Sequence, residues 1–555
     1  MRTMRSGSRA GRRSLAHLLP SPADYSGLRR SWRSDLIAGV TVGIVALPLA
    51  LAFGVSSGVG AEAGLVTAIV AGLVAAVFGG SNVQVSGPTG AMVVVLAPIV
   101  AAHGVGAVAA LSLMAGAIVL AAGVLRLGRS VSYIPWPVIE GFTAGIGVII
   151  FLQQVPSALG VGIGGHASNA VVAAGQTVAE AAWPGALLPL AVVAVVAVIM
   201  LALGRWLPAV PGSFVAILVV SVPVALLDLP LDTIGELPSS LPAPGLPSFD
   251  LGVLASLVGP AFAVAALAAI ESLLSARVAA TLANTGALNA DRELVGQGLA
   301  SIAAGLFGGM PATGAIARTA VNVRSGARTR AAAIAHALLL LLVVIAAAGI
   351  VSRIPLAALA GVLMVTAARM VSVSTFRRVA RSGRSSAAVF LVTAFVTVAF
   401  DLVIAVGIGI AAAAFFALRA LSRMSGAHLE PLPGDPQPGD ERIALFRVEG
   451  SLFFGAAERL LDEVAARDDV AVVILRLSGL QLVDSTGANA LGEMVTALER
   501  RGATVLIKGV RPEHLPLLER SGAIGALRHP NHLFAELEPA VEHARSHVRR
   551  AGYAI

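Results

Sequence analysis

The sequence predicts an all-α polytopic membrane protein of fourteen transmembrane segments, followed by a small cytoplasmic α/β domain, and three observations predict it. Apolar residues form 57% of the 555 and charged residues only 13%, with a mean hydropathy of +0.86, whereas soluble globular chains are about 25% charged. Arginines gather in alternate loops between apolar segments. Two Gly/Pro breaks, VSGPTGAMV (85–93) and GGMPATGAIART (308–319), interrupt short segments about 220 residues apart.

The same composition excludes other classes. The formal charge of +8 comes from Arg at segment ends rather than from one basic, aromatic-interleaved patch, which argues against nucleic acid. Cys is absent, so disulfides, thiol chemistry and thiolate metal sites are excluded. No phosphate-cradling Gly-rich loop, zinc-ligand spacing or nucleophile elbow is read, so no enzyme site, cofactor or resident metal is expected.

Residues 1–34 are Arg- and Ser-rich and poor in acid, as in a cytoplasmic tail. An organelle transit peptide shares that composition, but no secretory apolar region with a cleavage site follows. The transport region, 35–424, holds apolar segments near 36–57, 62–79, 89–103, 106–124, 135–152, 185–204, 211–228, 253–279, 292–306, 314–323, 331–351, 356–373, 386–399 and 401–421. About 20 residues cross the hydrocarbon layer, so several of the fourteen are short. With the N-terminus in the cytoplasm, loops after even-numbered segments carry Arg126, Arg205, Arg277, Arg324, Arg377 and Arg381. Odd-numbered loops carry almost none: Arg353 is the exception, and the loop 228–250 is acidic. This is the positive-inside pattern, and it places both termini on the cytoplasmic side of a cell inner membrane.

The two breaks open the third and tenth segments, equivalent positions in two halves of seven. An odd number of spans per half makes the halves opposite in orientation, and such a pair of interrupted segments is the sequence signature of a transporter site built from inverted repeats. Pro removes a donor and stops a helix from extending backwards, and Gly lets a ligand approach the main chain. Each half-helix then points free N–H groups and about half a positive charge towards the middle of the bilayer, a setting that attracts an anion.

Ionisable residues inside spans are functional candidates. Ala268, Glu271, Ser272, Ser275 and Ala279 share one small, polar helical face, opposite Leu267, Ile270, Leu273 and Leu274. Glu271 could bind a coupling H+ or Na+, pair with Arg318, or form a structural ion pair. Arg318 is either the anion's counter-charge or a side chain that snorkels to the interface. Glu62, Glu140, Asp401 and His103 lie at segment ends, where solvated or capping roles are expected.

Several stretches together resemble the sulfate permease (SulP) family of anion transporters: DLIAGVTVGIVALPLALAFGVSSG (35–58), VSGPTGAMVVV, AIESLLSARVA (269–279) and ELVGQGLASIAAGLFGGMPATGAIARTAVNVRSGART (293–329), with a C-terminal soluble module. The resemblance implies a seven-plus-seven inverted repeat, a core domain that moves against a gate domain, and a homodimer. It implies an anion held by Phe53, Thr89, Gly90, Ala91, Thr313, Gly314, Ala315 and Arg318, with Glu271 and Ser275 at a coupling-ion site where Na+ could bind. One departure is Leu49, where many members carry a polar residue after the first-segment Pro, here Pro48.

After the last segment, GAHLEPLPGDPQPGDE reads as a linker, assigned to 425–441. Over 442–548, strand-like RIALFRVEG and VAVVILRLSGL, helix-like TGANALGEMVTALERRG and the strand ATVLIKGV alternate as a small α/β domain, with a tail at 549–555. VDSTG (483–487), joining strand to helix, resembles a STAS domain. That resemblance implies phosphorylation at Ser485 or Thr486, although Asp, Ser and Thr before a helix also serve as N-caps. A cytoplasmic protein partner for this domain is a further expectation. The function expected is secondary transport of a small inorganic or carboxylate anion across the lipid bilayer, coupled to H+ or Na+ by alternating access. An uncoupled channel, a STAS-signalling receptor and a nucleobase permease of similar architecture are the alternatives.

Overall fold

The computed structural model describes residues 18–128, 135–161, 169–208, 210–247, 251–283, 286–399, 402–423, 426–452 and 470–552. Asp401 and most of the N-terminal tail lie outside the described residues. The chain divides into two compact units, 1–410 and 411–555.

Each of the fourteen expected segments coincides with a helix. The first half contributes α1 (Leu28–Ser56), α2 (Ala61–Phe78), α3 (Gly90–His103), α4 (Gly106–Val124) and α5 (Trp136–Gln153), then the short α6 (Val155–Leu159) and α7 (Ala170–Glu180), then α8 (Leu187–Trp206) and α9 (Gly212–Leu226). The second half contributes α10 (Leu251–Leu282), α11 (Ala290–Leu306), α12 (Ile316–Arg324), α13 (Ala331–Val351), α14 (Leu356–Met370), α15 (Val373–Ser382), α16 (Arg384–Ala399) and α17 (Leu402–Arg423). Among the described residues, eight helical stretches are long and apolar enough to cross a membrane, and Gly90–His103, Gly212–Leu226 and Arg384–Ala399 are shorter apolar helices. Pro and Gly set several ends. Pro135 and Pro355 precede α5 and α14, where a missing N–H costs nothing, and Gly104 ends α3 with φ 78°.

The packing repeats when seven is added to a segment's number. α1 lies on α13 as α10 lies on α4, α2 lies on α13 as α11 lies on α4, and α5 lies on α16 as α14 lies on α8. The pairs α2–α11 and α5–α14 map onto themselves and mark the pseudo-symmetry axis. This exchange is what two structural repeats produce. It also sorts the helices into one group containing α1, α2, α4, α10, α11 and α13 and another containing α5, α8, α14 and α16. Where helices touch, small residues let their backbones approach: a Cβ on Gly64 would lie 2.1 Å from the Ala50 carbonyl oxygen, and one on Gly298 2.5 Å from the Leu120 nitrogen.

Three helices exceed the sequence expectation. α6, α7 and α15 are too short or too polar to register as spans; α15, VSTFRRVARS, buries only Val379. Its Arg-rich face is what the alternating loop charges recorded.

The C-terminal unit is a five-stranded sheet in the order β3 (Gly426–Glu430), β4 (Ile443–Leu452), β5 (Val472–Val483), β6 (Thr504–Lys508) and β7 (Leu533–Phe534); two further short strands, in the transport unit, are described below. β3 pairs antiparallel to β4, and the other neighbours are parallel. Alternation decides which helix covers which face. Ala444, Phe446 and Val448 pack with α18 (Ser485–Arg500), whereas Ile443 and Leu445 pack with Ala540, Val541 and Ala544 of α20 (Leu537–Arg550). A short α19 (Leu515–Arg520) completes the first of these layers. The expected linker therefore begins as an edge strand. Gly426–Glu430 is only five residues with just two alternating apolar side chains, Ala427 and Leu429, too short a pattern to announce a strand, so only its pairing with Leu445–Glu449 reveals it.

Candidate anion site

Both Gly/Pro breaks enter extended backbone before their helices start. Ser86–Gly87 (β1) pairs antiparallel with Thr313–Gly314 (β2), Ser86 opposite Gly314 and Gly87 opposite Thr313, and the Ala315 N–H donates to the Val85 carbonyl at 2.8 Å. This two-residue ribbon brings the N-terminus of α3 beside that of α12. Irregular backbone at membrane depth must find partners inside the protein, and here it does. Thr67 of α2 receives the Met310 N–H at 2.8 Å, Ser301 of α11 receives the Ala312 N–H at 3.3 Å, and Gln297 of α11 donates to the Ser86 hydroxyl at 2.6 Å.

The polar face of α10 secures β2 from the other side. The Gly314 N–H donates to Ser272 Oγ at 3.0 Å, and the Ser272 and Thr313 hydroxyls lie 3.0 Å apart. Thr313 also donates to the Ala268 carbonyl at 3.2 Å. One turn further along, Ser275 donates to Thr319 Oγ1 at 3.0 Å, and Thr319 accepts the Val85 N–H at 3.1 Å. The Ser275 hydroxyl is thus fully buried and engaged in holding α10, β1 and α12 together.

The helix starts are uncapped. Thr89 and Ala315 occupy the N-cap positions of α3 and α12 in extended conformation, and neither side chain caps its helix. The first N–H groups of both helices therefore keep their polarity for a ligand. Thr89 instead donates to Glu271 Oε2 at 2.9 Å, which places a carboxylate beside the start of α3. Phe53 of α1 and Ile150 of α5 cover Gly90: a Cβ there would meet Ile150 Cδ1 within 2.2 Å and Phe53 Cε1 at 3.4 Å. Ala91 is buried one residue further into the same turn.

Arg318 does not reach the interface. It is 2% exposed, its Nη2 donates to the Pro88 carbonyl, and its Nη1 has no protein acceptor among the described residues. The guanidinium lies against β1 because residue 87 is glycine: φ is +151°, and a Cβ would stand 2.9 Å from Arg318 Nη1. The structure thus brings Phe53, Thr89, Gly90, Ala91, Glu271, Thr313, Gly314, Ala315 and Arg318 to one place where the two breaks meet. Of the end-of-segment groups, Glu140 accepts from Trp136 Nε1 at 2.9 Å, Glu62 is exposed in the first turn of α2, and His103 lies 3.5 Å from Ser256 Oγ.

Sequence reading missed the supporting residues. Thr67, Gln297, Ser301 and Thr319 satisfy the breaks, and Gln84 and His336 are buried nearby with no protein partner for their side-chain nitrogens among the described residues. The available signal was a polar residue within an apolar segment, which becomes specific only once the pairing partner is known. In the C-terminal unit, capping falls to Asp484, whose Oδ1 accepts the Gly487 N–H at 2.7 Å; Ser485 and Thr486 are exposed in the first turn of α18.

Comparison with known proteins places these features in a family. The model of the sulfate permease family matches residues 32–393, and the STAS domain model matches residues 437–540. The chain is 34% identical over 506 residues to a protein named putative sulfate transporter YvdB of Bacillus subtilis, covering 89% of this chain and 94% of that one. It is 33% identical over 514 residues to the bicarbonate transporter BicA of Synechocystis sp., covering 88% and 90%. The solved transmembrane domain of a cyanobacterial BicA superposes with a TM-score of 0.60 at 33% identity, over 69% of this chain and 97% of that one. A murine Slc26a9 structure superposes with a TM-score of 0.82 over 98% and 96%, and at 16% identity this likeness speaks for the fold alone.

Proposed function

The chain belongs to the sulfate permease family of multi-pass membrane anion transporters and carries a C-terminal STAS domain, and from that premise we propose that it is a secondary active symporter of a small oxyanion, of the sulfate or bicarbonate class, driven by H+ or Na+. The observation that carries the reading is the β1–β2 ribbon, which holds two uncapped helix starts side by side. Each start presents about half a positive charge, and the buried Arg318 adds a full one, so the site favours a compact anion and reads its charge before its identity. Phe53, Thr89, Gly90, Ala91, Thr313, Gly314 and Ala315 form the walls of that site.

Glu271 supplies the coupling. Its carboxylate accepts from Thr89 at the first turn of α3, so an anion at that helix start meets a like charge. At about 5 Å and an effective dielectric of about 20, the repulsion is about 3 kcal/mol, worth roughly a hundredfold in affinity. A proton or Na+ on Glu271 removes it, which makes anion and cation bind together. Alternating access follows from the two helix groups: α5, through Ile150, abuts the start of α3, and movement of the α5–α8–α14–α16 group past the other opens the site to one side or the other. By the arginine distribution, both termini lie in the cytoplasm and the membrane is the cell's inner membrane. A homodimer and a cytoplasmic protein partner for the STAS domain belong to the same reading, with Ser485 or Thr486 as the exposed hydroxyl for regulation.

The test is uptake of labelled sulfate and labelled bicarbonate into proteoliposomes holding the purified full-length chain, with H+ and Na+ gradients imposed separately. One anion accumulating against its gradient under one of the two cation gradients is the expected result. Flux that follows the anion gradient alone makes the protein a channel and overturns coupling. Movement of neither anion overturns the transport reading.

A further inference from the structure

The STAS domain contains a group of side chains that anion transport does not use. His532 ends a 3-10 turn at Pro530–His532, and His543 and His547 stand one turn apart on α20, at the i, i+4 spacing that puts two side chains on one helical face. One ring nitrogen from each of the three lies within 4.8 Å of the others. The Nε2 atoms of His543 and His547 are 3.2 Å apart, and the ring centroids of His532 lie 5.4 Å from His543 and 5.5 Å from His547.

We propose that His532, His543 and His547 form a binding site for one divalent transition-metal ion, with Zn2+ the best match to three imidazoles. Zn–N bonds of about 2.0–2.1 Å in a tetrahedral site put ligand nitrogens about 3.3 Å apart. The His543–His547 pair already meets that separation, and bringing in the third ligand from within 4.8 Å needs a side-chain shift of at most about 1.5 Å. His532 is 4% exposed, and its Nδ1 has no protein partner among the described residues. His543 and His547 are half-buried, so the fourth position opens towards solvent and can take water or a ligand from a partner. His529 stands nearby, but its Nδ1 accepts the Asn531 N–H at 3.1 Å, and it caps the turn instead. Beside the group, Arg528 is paired with Glu499 at 2.8 Å, which offsets a cation that would otherwise repel the metal. A bound ion would tie the 530–532 turn to the C-terminal helix. The chain spacing hides this site: H-x3-H at 543–547 is short, and its third ligand precedes it by eleven residues in another element. The expectation of no zinc-ligand spacing overlooked that pair.

The experiment is calorimetric titration of Zn2+ into the full-length, chelator-treated protein in detergent, together with the visible spectrum of the Co2+-loaded protein. Binding of one ion per chain and the intense d–d absorption of four-coordinate cobalt are expected, with affinity reduced on the order of 100-fold in His532→Ala and in His547→Ala. His543→Gln, which keeps size and polarity, should lose the ion while anion uptake by the full chain is unchanged, and this separates ligand loss from misfolding. His529→Ala should bind as the parent does. No ion bound, an octahedral cobalt spectrum, or affinity that survives these ligand substitutions would overturn the site.

Discussion

Replacing Gly314 by Ala tests how the ribbon is held against α10. The missing Cβ of Gly314 faces the protein interior: it would lie 1.8 Å from Gln84 Nε2, 2.7 Å from Gln84 Cδ and 3.1 Å from Ser272 Cα. The glycine therefore also serves close packing of β2 on α10. Carbon–nitrogen contact begins near 3.5 Å, so the Gln84 amide must retreat by about 1.5–2 Å, and Ser272 must yield by a few tenths of an ångström. Gln84 is 6% exposed, which leaves its amide little space, and overpacking of this kind costs about 1–3 kcal/mol. The strain should lower the thermal midpoint by a few degrees and, by moving the start of α12, reduce anion uptake about tenfold or more. Among the described residues the Gln84 amide has no hydrogen-bond partner in the protein, so Gln84→Ala relieves the clash without removing a hydrogen bond among them. In a double-mutant cycle read by thermal midpoint and by initial uptake rate, the Gly314→Ala penalty should shrink by at least about 1 kcal/mol in the Gln84→Ala background. Equal penalties in the two backgrounds would show that β2 is not wedged between Gln84 and Ser272, and the account of the ribbon would fail.

Glu271→Gln keeps an acceptor for Thr89 and removes the charge; uptake should persist while losing its response to imposed H+ and Na+ gradients, and an unaltered response refutes the coupling role. Ser272→Ala strands the buried Gly314 N–H, at a cost of about 1–3 kcal/mol; a midpoint equal to the parent's in thermal unfolding would contradict that bond. In the STAS domain, Asp440 accepts two hydrogen bonds from Arg545, at 2.9 and 2.7 Å, and this pair holds the carboxyl below its ordinary 3.8. Because the folded value is depressed, the stabilisation is complete above the unfolded value and disappears as pH falls through the folded one. Asp440→Asn should cost about 1–2 kcal/mol near neutral pH and progressively less in strong acid, as amide exchange of α20 would report; a pH-independent penalty refutes the pairing.

Much of this architecture was legible in the chain because the bilayer simplifies the problem: apolar length, loop arginines and helix-breaking residues each have one dominant meaning there. All fourteen segments fall on helices for that reason. Local patterns could say that 85–93 and 308–319 break their helices, and matched position could say that they belong together. The identity of the contacts was not available, because Thr67, Gln297 and Ser301 act on residues more than ten, and in two cases more than two hundred, positions away. Ser275 illustrates the loss: its face was correctly read as polar, yet the hydroxyl meets Thr319 within the protein. Short amphipathic pieces such as α7 and α15 and the edge strand β3 escaped because tertiary pairing, rather than their own periodicity, defines them.

The ribbon also constrains how the molecule is made. Ser86 and Gly87 find their strand partners only when Thr313 and Gly314 have been synthesised, so for more than two hundred residues of translation the first break stands in the membrane without its mate. Neither half holds both strands, so the ribbon can close only once the first half and the opening of the second are both in place.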